Sequence, residues 1–170
     1  MALACAGGGV LTGCSAASLP LISVHNGADG TPQLTLVPCG KDKIGSVDLD
    51  AAPEVPAVPV ASATVSPGSP TVPAPREGWS AYGSPLADGE VTFPLFSPPA
   101  EWKARQSGGA QSVRPGYTYS ASFHAPGFSD YSGVAHFTAE DLAGLKSGEV
   151  WANGKAMSPK KFRKLVKDKC

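Results

Sequence analysis

The chain has 170 residues, of which 42% are hydrophobic and 16% charged, and its formal net charge is zero. This composition is too apolar for a wholly disordered chain, and the length allows one hydrophobic core of ordinary size. The balanced charge gives no indication of a nucleic-acid partner. With 20 Gly and 17 Pro residues, the chain has the composition of a turn-rich β domain.

The first residues predict export. Residues 2–11 are apolar or small and too few to span a bilayer, so residues 1–13 are predicted to be a signal peptide. The LTGC motif that ends at Cys14 resembles the lipobox of bacterial lipoproteins, in which the cysteine receives a diacylglyceryl group and becomes the new N-terminus. The resemblance implies a lipid anchor at Cys14, a tether over residues 14–20 and a location at the outer face of the cell membrane, where two acyl chains hold a soluble domain stably. The alternative is an Ala/Gly-rich leader in which LTGC occurs by chance.

Residues 21–170 are predicted to form a single β domain without a transmembrane helix. Alternating apolar and polar residues predict strands at residues 21–26, 33–37, 44–50, 78–83, 91–96, 117–124 and 131–137. Turn residues join the first two strands and the last two strands into hairpins. Pro94 predicts that its strand lies at a sheet edge. The Gly-rich residues 107–110 are expected to form a mobile connector.

The strand at residues 44–50 carries two acidic side chains on one face. Asp48 and Asp50 alternate with the apolar Val47 and Leu49. Two carboxylates at this spacing could bind a cation, but they more commonly form the solvated face of an edge strand. We therefore expect an edge strand rather than a metal site.

Residues 51–77 differ in composition from their surroundings. The segment contains seven Pro, many Ala and Val and no aromatic residue, so it has little to bury in a core. It is predicted to be a flexible insertion, extended or disordered. A spacer or a ligand for a Pro-recognising partner is the alternative to a plain inserted loop.

The C-terminal part predicts two short helices separated by a small hairpin. Thr138 and Asp141 have the spacing of a capping box, and Asn153-Gly154 is a type I′ turn sequence. Ser158 is predicted to cap the last helix, with Phe162 in its buried stripe. Residues 155–170 carry seven Lys or Arg and one acid, whereas the preceding residues have a net charge of minus six.

The number and spacing of the strands predict a mainly β fold, a β-sandwich with two short C-terminal helices. The sequence VRPGYTY from Val113 to Tyr119 resembles the Leu-x-Pro-Gly-x-x-Tyr corner of fibronectin type III and related immunoglobulin-like domains. This resemblance implies an immunoglobulin-like β-sandwich, in which the Tyr119 hydroxyl bonds to the backbone near Val113. Trp79 would then be the core tryptophan of an earlier strand.

The chain as a whole resembles uncharacterised small lipoproteins of high-GC Gram-positive bacteria. The features that carry this resemblance are the lipobox, the first hairpin ending at Cys39, and the closing run FTAEDL…GEVWANGKAMS…KC. The family implies no activity, cofactor or substrate for this chain.

A catalytic constellation is not recognisable in the sequence. Ser158 matches the Ser-x-x-Lys pattern of penicillin-binding enzymes, but the other motifs are missing or out of order, and the N-cap role explains it. His25, His124 and His136 lack metal-ligand spacing, and each is expected to be a surface or edge histidine. We therefore predict no metal, no cofactor and no enzymatic activity.

Aromatic side chains offer the main candidates for binding. Trp102, Trp151 and Tyr131 could form a flat surface for wall sugars or for a protein partner, although such residues commonly fill a sandwich core or edge. The leading hypothesis is a membrane-tethered, non-catalytic binding or structural module that contacts a cell-wall polymer or an envelope protein. The alternative is a wall-polymer enzyme or its accessory carbohydrate-binding subunit. The basic last helix could touch anionic lipid or wall polymers, and no nucleic-acid partner is expected.

Two cysteines remain available to form a bridge in the mature chain. Cys5 leaves with the signal peptide and the thiol of Cys14 is consumed by lipid, so Cys39 and Cys170 are predicted to form a disulfide outside the cytoplasm. The alternatives are a buried Cys39 with a free Cys170, or intermolecular pairing through Cys170.

Overall fold

The computed structural model describes residues 16–54, 77–126 and 131–170. Within these ranges the strands are β1 (Ala17–Leu19), β2 (Ile22–Asn26), β3 (Pro32–Leu36), β4 (Lys43–Pro53), β5 (Glu77–Asp88), β6 (Val91–Pro94), β7 (Arg105–Gly108), β8 (Tyr117–His124), β9 (Tyr131–Thr138), β10 (Val150–Ala152) and β11 (Lys155–Met157). The helices are α1 (Ala139–Ala143), α2 (Pro159–Lys169) and a short 3₁₀ helix, Ala100–Trp102. The predicted signal peptide, Cys14 and most of the predicted insertion lie outside the described residues.

The first sheet has six strands in the order β1-β9-β8-β4-β5-β7. β4 lies at its centre, paired antiparallel with both β5 and β8. The prediction that the strand with Asp48 and Asp50 lies at an edge was therefore wrong. Val47 and Leu49 do face the core, as their alternation predicts, and they are 0% and 1% exposed. The two carboxylates instead lie on the outer face of a central strand.

Two further strands of this sheet differ from the sequence predictions. β1 pairs parallel with β9 through residues that were expected to be tether, so the folded domain begins before residue 21. β7 pairs with β5 and includes part of the Gly-rich stretch 107–110, which was expected to be a connector. Both strands are short, and they lie at the two edges of the sheet.

The second sheet has five strands in the order β11-β10-β2-β3-β6. β2 and β3 form the predicted hairpin, with Ile22 opposite Leu36. β6 pairs with β3 on one side only, so Pro94 lies in an edge strand as predicted. Asn153 and Gly154 have positive φ angles of 51° and 69°, which a type I′ turn between β10 and β11 requires.

The hydrophobic core lies between the two sheets, which together form a mainly β sandwich. Aromatic rings fill one part of it: Phe93 packs edge-to-face on Trp102 at 4.9 Å and on Trp79 at 5.9 Å between ring centroids. The Trp79 indole N–H donates to the Leu95 carbonyl at 2.8 Å, so the buried polar atom of this large ring has a partner. Trp79 is thus a core residue.

Tyr119 connects the start of β8 to the loop before it. Its hydroxyl accepts a hydrogen bond from the backbone N–H of Arg114 at 2.8 Å and donates to the Ser112 carbonyl at 3.3 Å. The ring stacks on Phe137 of β9 with centroids 5.3 Å apart. The side chain of Arg114 is ion-paired with Glu77 at the start of β5. These contacts fix the loop against both neighbouring strands.

The C-terminal helices begin where the capping residues predict. Thr138 and Asp141 form both bonds of a capping box at α1, and the Ser158 hydroxyl accepts the Lys161 backbone N–H at α2. α2 lies over the second sheet, on the side away from the core, and buries Phe162 and Val166 there. The sandwich therefore has a third, partial layer.

The disulfide between Cys39 and Cys170 is present, with the two Cα atoms 5.3 Å apart. It joins the loop after β3 to the residue that follows α2. The predicted bridge is confirmed, and it holds the end of α2 against the second sheet.

Candidate functional site

A row of hydroxyl groups crosses the outer face of the second sheet. Ser23 of β2 pairs with Thr35 of β3, which pairs in turn with Thr92 of β6. Their side chains share one face because the intervening residues, such as Val24 and Leu34, point into the core and are fully buried. The Thr35 and Thr92 hydroxyls are hydrogen-bonded at 2.8 Å.

Two of these three residues, Ser23 and Thr35, are not solvated as an ordinary outer face would be, whereas Thr92 is exposed. Ser23 is 2% exposed and Thr35 8%, because α2 and the loop 144–149 cover this part of the sheet. Between the cover and the sheet lies a cavity of about 680 Å³. This volume falls within the range of about 300–1,000 Å³ that is usual for small-molecule sites.

The wall of the cavity combines polar strand residues with apolar residues of the cover. The strands contribute Ser23, Thr35 and Thr92, and the cover contributes Phe162 and Leu145, among others. Phe162 is 3% exposed, so its ring is held in place by packing. The site thus has one hydrogen-bonding side and one apolar side.

His25 lines the same cavity, one row along β2 from Ser23. It is half-buried, and its Nδ1 atom is buried without a hydrogen-bond partner among the described residues. Burial lowers the pKa of the imidazole, because desolvation disfavours the charged form. Burial therefore favours the uncharged form of His25, and the residue lies half-buried on the outer face of the second sheet.

Charged side chains at the cavity balance one another. Glu90 and Arg163 form an ion pair at 2.6 Å between the start of β6 and α2. Glu149 accepts the backbone N–H of Lys146 at 3.0 Å in the covering loop. With two carboxylates and two basic groups in the wall, and a neutral His25, the cavity has no excess charge to attract an ion.

The aromatic residues proposed from the sequence as a binding surface are not brought together. Trp102 is 3% exposed and packs in the core, so it cannot be part of a surface platform. Trp151 is half-buried, and its indole N–H donates to the His136 carbonyl at 2.8 Å. Neither tryptophan lines the cavity described above.

Tyr131 has a contact that ties it to the disulfide loop. Its hydroxyl accepts the backbone N–H of Cys39 at 3.0 Å and donates to Asp42 at 3.0 Å. Burial is the main cause that raises the pKa of this phenol. The described contacts of Tyr131 therefore position the loop that carries Cys39.

The cavity was not predicted from the sequence, because nothing in the sequence marks its residues. Ser23, Thr35 and Thr92 are polar positions of alternating strands, which normally face solvent. Ser23 and Thr35 are buried here because α2 docks over them, and that docking depends on contacts between distant parts of the chain. The one available signal was the apolar stripe of α2, which had to cover some surface of the sandwich.

Metal binding and membrane insertion have no further support in the described ranges. Residues 16–54, 77–126 and 131–170 contain no group of three or more His, Cys, Asp or Glu side chains that could hold a metal ion. No helix in these ranges is long and apolar enough to cross a membrane.

In comparisons with known proteins, no family model, no curated protein and no solved structure matches this chain.

Proposed function

We propose that this chain is an extracytoplasmic lipoprotein, tethered to the outer face of the cell membrane through Cys14, whose β-sandwich is a non-catalytic binding module. The observation that carries the binding role is the covered cavity over the hydroxyl row of Ser23, Thr35 and Thr92. A concave space of about 680 Å³ between a sheet face and a helix has the size that is usual for small-molecule sites.

Export is supported by two independent features. The LTGC motif at Cys14 resembles a lipobox, and the Cys39–Cys170 disulfide fits an oxidising compartment outside the cytoplasm. A disulfide that joins the ends of a domain is stable there, whereas cytoplasmic reductants would keep both thiols reduced.

A non-catalytic role is supported by the geometry of the cavity. A serine nucleophile needs a base within hydrogen-bond reach. In the described part of the chain His25 makes no hydrogen bond to Ser23 or to Thr35. A wall-polymer enzyme with a tryptophan platform is the less favoured alternative, because Trp79 and Trp102 are buried in the core.

We also propose that the sandwich is immunoglobulin-like. The strand order β9-β8-β4-β5 would correspond to the G-F-C-C′ sheet, and β2-β3-β6 would correspond to strands A, B and E. β7 has no counterpart in this correspondence, because it follows β6 in the chain whereas C″ precedes E. Tyr119, at the start of β8, bonds to the preceding loop as a corner tyrosine does. Trp79 departs from the pattern, because it lies on β5, one strand beyond the position of the tryptophan in immunoglobulin domains.

The tether is tested by changing Cys14→Ala in the cells that produce the protein. We expect the variant to leave the membrane fraction, because without acyl chains nothing else in the proposal holds it there. Cys5→Ala is the matched control and should remain membrane-bound, since Cys5 leaves with the signal peptide. If both variants and the parent fractionate alike, the anchor at Cys14 is wrong.

A further inference from the structure

The strand registers place the start of the folded domain at one end of the first sheet. Ala17, the first residue of β1, is opposite Tyr131, the first residue of β9. Lys43 at the start of β4 is opposite Asp88 at the end of β5. Both pairs lie at the end of the sheet where β8 finishes at His124. This end of the domain is named the anchor end below.

The last turn of α2 lies at the anchor end as well. The Tyr131 hydroxyl accepts the backbone N–H of Cys39 at 3.0 Å, and Cys39 is joined by the disulfide to Cys170. Lys167 and Lys169 are in the last turn of α2, just before Cys170. Their side chains are exposed, so both ammonium groups are available on the surface of the anchor end.

The anchor end has an excess of positive charge. Three ion pairs on it balance internally: Lys43 with Asp88, Arg163 with Glu90, and Lys164 with Asp168. Among the described residues, Lys41, Lys167 and Lys169 have no acidic partner. One further carboxylate, that of Asp42, accepts the Tyr131 hydroxyl. The exposed lysines at this end therefore outnumber the acids that could neutralise them.

The opposite end of the domain carries the reverse charge. β9 runs to it from the anchor end over eight residues, so the two ends are roughly 23 Å apart at about 3.3 Å per residue. The acidic residues at this far end are Asp29, Glu54, Glu140, Asp141 and Glu149. Lys146, in the loop after α1, is a basic residue near them. The separation is about three times the Debye length of roughly 8 Å at physiological ionic strength, so a charged surface attracts or repels mainly the end that it touches.

The proposed tether brings the basic end to the membrane. Ala17 follows Cys14 by three residues, and three residues span at most about 11 Å. A lipid at Cys14 would therefore hold the anchor end next to the headgroups. Each lysine near an anionic membrane strengthens association roughly fivefold, whereas the acidic far end is repelled by the same surface.

We infer that the anchor end lies against anionic lipid headgroups through Lys41, Lys167 and Lys169, with the acidic end directed away from the membrane. This inference rests on the proposed tether at Cys14 and adds a second, electrostatic contact that orients the domain. The mouth of the binding cavity, which Lys146 lines, would then be held away from the bilayer.

The test uses the chain purified with its native N-terminus from cells that export it, reconstituted in vesicles of phosphatidylcholine alone or with added phosphatidylglycerol. Acetylation of individual lysines, read by mass spectrometry, reports which side chains the surface covers. We expect Lys41, Lys167 and Lys169 to react several-fold more slowly on the anionic vesicles than on the neutral ones. Lys146 should react equally fast on both. Salt at about 1 M should remove the difference, because the Debye length falls to about 3 Å.

Two variants with the same loss of charge assign the contact to the end of α2. Lys167→Gln/Lys169→Gln should remove most of the protection of Lys41 on anionic vesicles. Lys160→Gln/Lys161→Gln changes the start of the helix, which is roughly 14 Å away at 1.5 Å per residue, and should leave that protection unchanged. All four lysines are exposed, and circular dichroism checks that both variants fold. The comparison of the two vesicle types with the parent protein does not depend on either variant.

Equal reactivity of the three lysines on both kinds of vesicle, or stronger protection of Lys146 than of Lys41, overturns the inference. Protection by a soluble anionic wall polymer but not by anionic vesicles would assign the anchor end to the polymer and overturn the assignment to lipid. Intact mass separates this failure from that of the tether. A chain that carries a diacylglyceryl group at Cys14 but has unprotected lysines keeps the tether and loses only the orientation, whereas a chain without that group loses both.

Discussion

At the scale of single residues, Tyr119 shows how one hydroxyl can fix a long connection. The loop before β8 carries no regular structure of its own, and its backbone at Arg114 and Ser112 is bonded to this phenol. The side chain of Arg114 also lies over the Tyr117 ring, with 3.8 Å between the guanidinium carbon and the ring centroid. Removing the hydroxyl would leave a part-buried N–H without its partner.

We predict that Tyr119→Phe lowers the free energy of unfolding by about 1–3 kcal/mol, the usual cost of leaving a buried polar group unpaired. Urea denaturation followed by tryptophan fluorescence measures it. Tyr82→Phe is the matched control: its side chain is 65% exposed and its hydroxyl donates to Asp48 at the surface, so a change within about 0.5 kcal/mol is expected. If Tyr119→Phe lowers the free energy of unfolding no more than Tyr82→Phe does, the hydrogen bonds of the Tyr119 hydroxyl do not stabilise the fold.

His25 gives the fold a dependence on pH. Burial lowers its pKa in the folded state, whereas in the unfolded chain a histidine titrates near about 6.5. At a pH between the folded and the unfolded pKa of His25, the unfolded state binds more protons than the folded state. The free energy of unfolding therefore rises with pH in this interval, and it begins to fall as the pH drops through about 6.5. The loss is complete once the pH is below the folded pKa. The other charged groups around the cavity are Glu90, Lys146, Glu149 and Arg163.

We predict that His25→Gln reduces the loss of thermal stability between neutral pH and about pH 5, the range in which histidine changes charge. His124→Gln, on an exposed residue, should retain the loss shown by the parent. Scanning calorimetry at several pH values compares the three proteins. An unchanged pH dependence in His25→Gln would show that this imidazole does not couple folding to protonation.

At the scale of elements, the β4–β5 pair shows where the Pro/Ala-rich insertion joins the fold. The predicted insertion covered residues 51–77, but Ala51 is paired with Glu77 in the sheet, so the ends of the segment are adjacent strand positions. Residues 55–76 lie outside the described residues, and their role remains a prediction from composition. Because the two ends are neighbours, a short linker can join them.

We predict that replacing residues 55–76 by a short Gly/Ser linker changes the free energy of unfolding by about 1 kcal/mol or less. Loop-closure entropy varies only slowly with loop length, at about 0.6 kcal/mol for each doubling, and the removed residues include no aromatic side chain to bury. Urea unfolding of the shortened chain measures the change. Failure of that chain to fold would show that the segment packs against the domain.

The elements that the sequence predicts well are those fixed by local chemistry. The β2–β3 and β8–β9 hairpins, the capping box at Thr138 and the turn at Asn153 all depend on residues close in the chain, so their signals are readable. The central position of β4 depends instead on pairing with β8, for example Asp48 with Ser122. A strand at the edge of a sheet and a strand at its centre show the same alternation of apolar and polar residues when one face of the sheet is solvated. The sequence pattern therefore could not show which position β4 occupies.

The candidate site was less predictable than the fold for a related reason. Trp102 was proposed as a surface residue because aromatic residues occur both in cores and at binding surfaces, and only the packing on Phe93 decides between them. The hydroxyl row draws one residue from each of three strands. The burial of Ser23 and Thr35 depends on α2, which follows Ser23 by more than a hundred residues in the chain.

At the scale of the whole molecule, α2 is attached to the sandwich by a small number of contacts of different kinds. Phe162 and Val166 are buried under it, Arg163 pairs with Glu90, and Cys170 is bonded to Cys39. The exposed ion pair contributes little by itself. The apolar stripe and the disulfide therefore hold the helix, and with it the cover of the cavity.

The disulfide closes a long stretch of chain, with a sequence separation of 131 residues. In the chain-entropy description, a cross-link over such a distance restricts the unfolded state and stabilises the fold by up to about 5 kcal/mol. The bond also acts locally. Cys170 directly follows the last turn of α2, so we expect loss of the bond to free the end of the helix.

We predict that the double variant Cys39→Ser/Cys170→Ser still folds but is less stable than the parent, by an amount up to about 5 kcal/mol. Core amides then exchange faster to the extent that global unfolding becomes easier, and we expect the amides of α2 to lose more protection than those of β8 and β9, because the freed helix also opens locally. Hydrogen exchange with mass spectrometry compares the two proteins under conditions where both are folded. Intact mass supplies the control: the parent should be two hydrogens lighter than its reduced form, with Cys39 and Cys170 alkylated only after reduction. Immediate alkylation of both cysteines in the untreated parent would contradict the bridge in solution. A loss of protection that is no larger in α2 than in β8 and β9 would contradict the local role, because it would mean that the bond stabilises the domain as a whole and does not specifically hold α2 over the cavity.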